Sequence, residues 1–289
     1  MRIAALYDIH GNLPALEAVL ADVERAGVDE IVWGGDVAAG PMPVETLARM
    51  RAVGGRFVSG NADRQMVEDF DAGRQPSDSD DEMMRTMLWA VARIDRADRD
   101  YLAAFEPTVS LQVDGLGPVL FCHGSPRSDE EKITRATPPE RLAPMVEGVA
   151  ERVVVCGHTH QQFDLRAGDH RVVNAGSVGM PYEGDAAAFW LLLGPDAELR
   201  RTAYDIPAAV ATMRGTGMPD VDRILLQESL IEPVDPDWVT RYFETGVPPS
   251  DQPPTKGVRP LYVSVVRSGV RSSGSASSIS LVKMRSPRL

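Results

Sequence analysis

Seven polar side chains of types that bind metal ions follow short apolar runs and lie beside or near glycines. Along the chain they read Asp-x-His, Gly-Asp, Gly-Asn, a histidine after an apolar run, and Gly-His-x-His. Carboxylate, imidazole and amide oxygen suit Mn, Fe, Zn, Co or Ni, and no thiolate set is present that would select a soft ion. The candidate ligands are Asp8, His10, Asp36, Asn61, His123, His158 and His160.

Each of these residues has a structural explanation when it is taken alone. A histidine after a strand is commonly a hydrogen-bonded structural residue, Asp8 or Asn12 can cap a helix, and Asn61 can belong to a turn. The joint pattern is more specific, because ligand sites in α/β sheets form at the carboxyl ends of strands. We therefore expect one metal-binding crevice, with glycines that let its backbone segments converge at Gly35, Gly60 and Gly157.

The hydrophobic pattern predicts the elements that position these residues. In the first hundred residues, short apolar runs alternate with segments whose apolar residues recur at helical spacing. Asn12 and Gly27 bound the first of these helices. This β-α-β-α-β order implies a parallel sheet with right-handed crossovers. The predicted strands are 2–7, 30–33 and 56–59, and helices are predicted from Leu13 up to Gly27 and over 43–52. A polar helical insert at about 63–106 is either an ordinary solvated segment or a cap that faces the substrate.

After Pro107 the period of the apolar residues changes to two, which predicts a second, mostly strand-built sheet. The predicted strands are 109–113, 118–122, 153–156, 162–166, 171–174, 187–193 and 198–204. Helices are predicted at about 138–151, 206–214 and 221–230. The resulting fold class is α/β, a two-sheet αββα sandwich with helices on the outer faces.

Charge is unevenly distributed along the chain. The formal net charge is −12, yet residues 247–289 contain seven Lys or Arg and one acid, so residues 1–246 carry −18. Residues 1–246 would therefore repel polyanions, which argues against nucleic acid as a partner and favours a small phosphate ester as the substrate. We expect one domain over 1–246 and a flexible Pro/Ser/Gly-rich basic tail over 247–289, in which 261–266 could add as an edge strand.

The sequence indicates a cytoplasmic protein without a membrane partner. No apolar run approaches the roughly 20 residues that span a bilayer, and the first residues reach an acid and a histidine too early for a signal peptide. Cys122 and Cys156 are interpreted as buried reduced thiols, because strand alternation would point them away from the neighbouring ligands.

Five short segments resemble the motifs of the calcineurin-like metallophosphoesterase superfamily. They are DIH at 8–10, GGD at 34–36, GNAD at 60–63, CHG at 122–124 and GHTH at 157–160. The early spacing and NAGSVGMP at 174–181 look most like its small bacterial and archaeal phosphodiesterase branch. The resemblance covers about residues 1–205.

The resemblance implies a dinuclear centre and a hydrolytic reaction. One divalent ion would be held by Asp8, His10 and His160, a second by Asn61, His123 and His158, and Asp36 would bridge them. Mn is favoured, with Fe, Zn, Co, Ni or Mg as alternatives. A hydroxide bridging the metals would hydrolyse a phosphodiester, and the candidate catalytic residues are Asp36, Asn61 and His158.

One residue departs from the family pattern. Many members have Gly-Asn-His where this chain has Gly60-Asn61-Ala62, so a histidine that would assist the leaving group is absent. Asp63 could donate a proton in its place, pair with Arg64, or cap the backbone. Three alternatives to a phosphodiesterase remain open: a protein phosphatase or dinucleoside polyphosphate hydrolase, a non-catalytic scaffold of the same fold, and a nuclease.

Overall fold

Two five-stranded sheets form the centre of the protein. The computed structural model describes residues 1–247 and 249 of the 289-residue chain. Within this part of the chain the strands are β1 Ile3–Leu6, β2 Glu30–Trp33, β3 Arg56–Phe57, β4 Thr108–Val113, β5 Gly117–Cys122, β6 Val153–Cys156, β7 Phe163–Ala167, β8 His170–Asn174, β9 Ala188–Leu193 and β10 Ala197–Thr202.

Helices surround the sheets. Over the same described residues they are α1 Leu13–Ala26, α2 Pro43–Val53, α3 Asn61–Asp71, α4 Glu82–Val91, α5 Arg96–Ala103, α6 Pro139–Leu142, α7 Ile206–Gly215 and α8 Pro236–Thr245. A 3₁₀ turn at Ala143–Met145 continues α6, and a wider helix with i→i+5 hydrogen bonds covers Asp222–Ile231. The first helix begins as predicted, because the Asn12 side chain accepts a hydrogen bond from the backbone N–H of Ala15.

Both sheets are mixed. The first has the order β10-β9-β1-β2-β3, with β1, β2 and β3 parallel and β9 antiparallel to β1. The second has the order β4-β5-β6-β8-β7, with β5, β6 and β8 parallel and the outer strands antiparallel to their neighbours. The parallel strands of each sheet therefore end at a common edge.

The side chains of β1 show how the layers are arranged. Ile3 and Ala5 belong to an apolar cluster that also contains residues of β5 and β6, so it lies between the two sheets. Ala4 and Leu6 belong to a second cluster, shared with α1 and α2 on the outer face. Successive side chains of β1 therefore pack on opposite faces of the sheet, each against another layer, and the predicted αββα sandwich is confirmed.

The prediction that the strands after Pro107 form a second sheet is wrong for β9 and β10. These strands extend the first sheet, where β9 lies next to β1. All six residues of β9 are buried, so both of its faces must be covered by other layers. A central position in the first sheet supplies that cover.

The predicted helix at 138–151 is also too long. It consists of α6 and the 3₁₀ turn, and the chain is not helical beyond Met145. Pro144 has no backbone N–H to donate to an earlier turn, and in a continued α-helix its ring would clash with the carbonyl of residue 140. The helix ends there for that reason.

Two further expectations concern the chain ends and membranes. The predicted edge strand at 261–266 lies outside the described residues. Among the residues that are described, no helix is both long enough and apolar enough to cross a bilayer.

Candidate metal centre

All seven candidate ligands lie at the strand edge where β1, β2, β3, β5 and β6 end. The loops that carry them are hydrogen-bonded to one another. The backbone N–H of Asp8 donates to Gly35 O at 3.0 Å, and that of Gly157 donates to His123 O at 2.8 Å. Loops from both sheets therefore converge on one centre, as the sequence pattern predicts.

The backbone of the centre is strained in a specific way. Among the described residues, six non-glycine residues have a left-handed backbone with φ between 48° and 65°. Such conformations cost free energy for residues with a Cβ and accumulate at functional sites. Five of the six are candidate ligands: Asp8, His10, Asp36, His158 and His160.

Asp8, His10 and His160 form the first of two groups whose ligand atoms lie within 4.8 Å of one another. His10 Nε2 is 3.2 Å from His160 Nε2, and His160 Nε2 is 3.4 Å from Asp8 Oδ1. Two imidazole nitrogens and a carboxylate oxygen that converge in this way could hold one divalent ion.

The second group consists of Asp36, His123 and His158, which satisfy the same distance limit. His123 Nε2 lies 3.4 Å from Asp36 Oδ2 and 3.2 Å from Asn61 Oδ1. The Asn61 side chain therefore places an amide oxygen beside this group.

Asp36 stands between the two groups. Its Oδ2 atom is 4.0 Å from His10 Nε2 in the first group and 3.4 Å from His123 Nε2 in the second. A carboxylate in this position is suited to bridge two cations.

Backbone carbonyls orient three of the imidazoles. The Nδ1 atoms of His10, His123 and His160 lie 3.3, 2.9 and 2.6 Å from the carbonyl oxygens of Ala39, Gly34 and Met180. When Nδ1 carries the proton and donates a hydrogen bond to a carbonyl, Nε2 keeps a free electron pair that can bind a metal ion. Each ring is therefore held with Nε2 directed at the centre.

Two buried polar atoms of the centre lack the hydrogen-bond partner that a bound cation would replace. Asp8 Oδ1 and His158 Nε2 are buried and have no hydrogen-bond partner among the described residues. An unsatisfied buried carboxylate oxygen is costly, and a bound cation removes that cost. The donor set therefore fits two divalent metal ions.

The electrostatics of the metal-free centre are dominated by His123 and Asp36. Burial alone would lower the pKa of His123, but the carboxylates of Asp36 and Asp8 outweigh it and raise the pKa to about 10. Burial would raise the pKa of Asp36, yet His123 and His10 hold it far below its usual range. For His158, burial and then His123 lower the pKa to about 3. At neutral pH the centre therefore has a protonated His123 beside an ionised Asp36.

Asp63 is a backbone cap and not a partner of Arg64. It is fully buried, and its carboxylate accepts hydrogen bonds from the backbone N–H groups of Asp36, Val37 and Gly60 at 2.8, 3.0 and 3.0 Å. Burial and the Asp36 charge raise the pKa of Asp63 to about 7, while its backbone donors act in the opposite direction. A group enclosed in this way cannot reach a substrate, so the proton-donor alternative is not supported.

Ala62 and Asn12 both have structural roles. The backbone N–H of Ala62 donates to Asp36 Oδ1 at 2.8 Å, so residue 62 orients the Asp36 carboxylate through its main chain. Asn12 is fully buried, caps α1 and donates to Gly179 O at 2.9 Å. It therefore does not line the substrate side of the centre.

The remaining histidine and the cysteines lie away from the centre. The Nε2 atom of His170 is 3.1 Å from Val149 O, and the residue begins β8, at the opposite end of the parallel strands from the candidate ligands. Cys122 and Cys156 pack in the apolar cluster outside the second sheet, and burial raises the pKa of both thiols. The prediction that both cysteines are buried free thiols is confirmed.

Sequence reasoning missed several residues that hold the GHTH and DIH loops in place. The Asn174 amide donates to Gly157 O at 2.7 Å, and Ser177 Oγ donates to Asp8 O at 2.7 Å. The ring of Tyr182 stacks on His160 with a centroid distance of 5.0 Å. The NAGSVGMP segment was the available signal, but its resemblance does not show which loop each side chain contacts.

Comparisons with known proteins agree with this geometry. The family model of the calcineurin-like phosphoesterase superfamily domain matches residues 1–193. An uncharacterized protein of Methanocaldococcus jannaschii is 26% identical over 241 residues, which cover 75% of this chain and 94% of that protein.

Two solved structures share the fold of this chain. A metallophosphoesterase from Sphaerobacter thermophilus is 28% identical with a TM-score of 0.59, covering 76% of this chain and 95% of its own. A hypothetical protein from Pyrococcus horikoshii is 18% identical with a TM-score of 0.67, covering 78% and 97%, and shows the fold alone. Since the family model spans two thirds of the chain and the fold is shared, the protein belongs to the calcineurin-like phosphoesterase superfamily.

Proposed function

We propose that the protein hydrolyses small phosphodiesters with two divalent metal ions, for which Mn²⁺ is the favoured identity. One ion would be held by Asp8, His10 and His160, and the other by Asn61, His123 and His158. The observation that carries the proposal is the position of Asp36 Oδ2, within 4.0 Å of an imidazole nitrogen of each group. Two such cations lower the pKa of water and polarise phosphoryl oxygens.

The chain's own residues would orient the ester. His10, Asn61 and His158 are partly exposed, while Asp8, Asp36 and His123 are buried, so a substrate would approach the centre from the side on which these three residues lie. The Asn61 oxygen faces His123, which leaves its NH₂ group free to donate to a phosphoryl oxygen. Asp36 stays ionised because its pKa is strongly lowered, and it fixes the spacing of the two groups.

The leaving group determines which esters react well. With alanine at position 62, the chain lacks the histidine that would protonate a departing alcohol. General-acid assistance is worth about 10²–10⁴-fold where it is needed. We therefore expect activated aryl diesters to be hydrolysed much faster than simple alkyl diesters.

The test is elemental analysis combined with hydrolysis of bis(p-nitrophenyl) phosphate and p-nitrophenyl phosphate, with and without added Mn²⁺. We expect about two metal ions per chain and a preference for the diester. His123→Gln should lose metal and activity, whereas His170→Gln, which changes the one histidine outside the centre, should keep both. Asp36→Asn should also lose diester hydrolysis.

Other results would identify the alternatives. A preference for the monoester would indicate a phosphatase. Protein that binds no added metal and hydrolyses neither ester would contradict the proposal and favour a non-catalytic scaffold.

A further inference from the structure

Helix α8 packs against a short segment of the chain, residues 180–182, that lies beside His160. The helix follows the part of the chain that the family model matches, and it carries none of the seven candidate ligands. The buried apolar cluster between the helix and the segment consists of Met180, Tyr182, Trp238, Val239 and Tyr242. The position of residues 180–182 therefore depends on α8.

Residues 180–182 in turn hold the His160 side chain. Met180 O lies 2.6 Å from His160 Nδ1, and the Tyr182 ring stacks on the imidazole with a centroid distance of 5.0 Å and an angle of 7° between the planes. The backbone N–H of Tyr182 also donates to His160 O at 3.1 Å. A shift of this segment would therefore move the imidazole that faces Asp8 and His10 in the first ligand group.

Gln161, which directly follows His160, connects α8 to this segment by hydrogen bonds. Its side chain is fully buried, and its Nε2 atom donates to Tyr182 O at 3.0 Å and to Pro236 O at 2.7 Å. Thr240 Oγ1 donates to Gln161 Oε1 at 2.8 Å. Carbonyl oxygens only accept hydrogen bonds, so the two carbonyls fix which end of the amide carries the NH₂ group. We call these three hydrogen bonds the Gln161 network.

The Thr240 hydroxyl is the donor that α8 supplies to the Gln161 network. Without it, Gln161 Oε1 would be buried beside an apolar group, which is costly enough to favour a rearrangement of the side chain. Because Gln161 adjoins His160 and also holds Tyr182 O, that rearrangement would be passed on to the imidazole.

We propose that α8 positions the first metal site, with Gln161 and Thr240 as the positioning residues that keep His160 in the first ligand group. The inference rests on the proposed function, because it concerns one ion of the same centre. It predicts that a change in α8 weakens the first site and spares the second, because Asn61 begins α3 and His123 follows β5, and these elements take no part in the Gln161 network.

Thr240 and Thr245 provide matched variants on one helix. Each hydroxyl donates at 2.8 Å to the carbonyl four residues earlier, Thr240 to Pro236 O and Thr245 to Arg241 O. Thr240 also reaches Gln161, whereas Thr245 is exposed. Thr240→Val removes the hydroxyl with little change in shape, and Thr240→Ser keeps it. Thr245→Val makes the same change without touching the Gln161 network.

Titration of the metal-free protein with Mn²⁺ tests the proposal, with His10→Gln used to identify the first site. The binding step that His10→Gln removes belongs to that site. In Thr240→Val we expect this step to weaken about tenfold or more, as for other residues that orient metal ligands, and the remaining step to be unchanged. Thr240→Val should have no further effect in the His10→Gln background. Thr240→Ser and Thr245→Val should bind like the wild type.

Hydrogen exchange tests the same coupling in the wild type, so it decides the question if Thr240→Val does not fold. Coupling between a site and a helix is reciprocal, so saturating Mn²⁺ should slow exchange of the α8 amides about tenfold, beyond any change in α7. Equal weakening of both binding steps, the same loss in Thr245→Val, or α8 exchange that Mn²⁺ leaves unchanged would overturn the assignment.

These measurements also separate the inference from the proposed function. If the wild type binds Mn²⁺ but hydrolyses no ester, the proposed function fails, and the titration and the exchange measurement still decide the role of α8. If the wild type is active and Thr240→Val binds both ions like the wild type, the inference alone fails. Wild type that binds no ion would overturn both.

Discussion

At the scale of single residues, Asp63 affects the centre through the backbone of its neighbours. Its carboxylate binds the N–H groups of Asp36 and Val37 after β2 and of Gly60 before α3. In return, the carboxylate of Asp36 accepts from the N–H of Ala62. The two loops that carry Asp36 and Asn61 are therefore held together by reciprocal hydrogen bonds.

We expect Asp63→Asn to weaken metal binding by about 10–100-fold, as for other residues that orient metal ligands. An amide has one acceptor oxygen, so its NH₂ group would face a backbone N–H, and the Asp36 loop would have to move. Titration of metal-free protein with Mn²⁺ measures the effect. Asp69→Asn is the control, since Asp69 is a buried aspartate of the same helix that pairs with Arg74. Unchanged affinity in Asp63→Asn would contradict this role.

The protonation of His123 makes metal binding depend on pH. Because the pKa of His123 is raised to about 10 in the metal-free protein, metal binding at pH 7 must displace its proton. We expect release of about one proton per chain, and an apparent affinity that increases up to about tenfold per pH unit between pH 7 and 9. Calorimetry in buffers of different ionisation enthalpy measures the protons, and zero release would refute the expectation.

The same pKa shift has a consequence for stability. A histidine whose pKa rises on folding stabilises the fold most below its unfolded value, near pH 6.5. This contribution is lost as the pH rises towards 10. Metal-free wild type should therefore lose more unfolding free energy over that interval than metal-free His123→Gln.

At the scale of elements, the centre depends on close contacts between the loops that follow the strands. A Cβ atom at Gly60 would lie 2.2 Å from Asp36 Oδ1, and one at Gly157 would lie 2.6 Å from Asp8 Oδ2 and 2.4 Å from the Tyr7 ring. The predicted role of these glycines in letting the ligands converge agrees with these distances. No larger residue fits without moving a candidate ligand.

Gly157→Ala should therefore destabilise the protein by about 1–3 kcal/mol through overpacking and should reduce its metal content. The added methyl group must displace Asp8 or Tyr7, and both are fully buried. Gly215→Ala at the end of α7 is the control, because a Cβ atom added there would have no described neighbour within 4 Å. Thermal unfolding and elemental analysis measure the two effects. Equal behaviour of the two variants would show that the contact at Gly157 is not limiting.

At the scale of the whole molecule, the folded unit and the tail differ in composition. The seven candidate ligands and the apolar clusters of the described chain all lie within residues 1–246. Residues 247–289 carry a charge of +6 against −18 for the rest. We propose that residues 1–246 form one domain.

A chain that ends after Gly246 should keep the metal content and the unfolding temperature of the full-length protein, within a few degrees. The physical reason is that the buried apolar surface and the ligands remain intact. Thermal unfolding of both chains with and without Mn²⁺ measures this. Loss of metal or of cooperative unfolding in the shorter chain would show that the tail belongs to the domain.

The sequence by itself determined the types of the candidate ligands, their order and their places after strands. These features are local, because a strand end, an adjacent glycine and a metal-binding side chain are all contained in segments of three or four residues, such as DIH and GHTH. The alternation of apolar residues likewise predicted the layers of the sandwich.

Only the tertiary structure decided features that depend on distant parts of the chain. The carbonyls of Gly34, Ala39 and Met180 orient the imidazoles, but a backbone carbonyl is the same in every residue type, so no sequence signal marks them. The place of β9 beside β1 and the three N–H donors of Asp63 also come from loops and strands that meet only in the fold. Periodicity along the chain reports which side chains are buried, but it does not report what they are buried against.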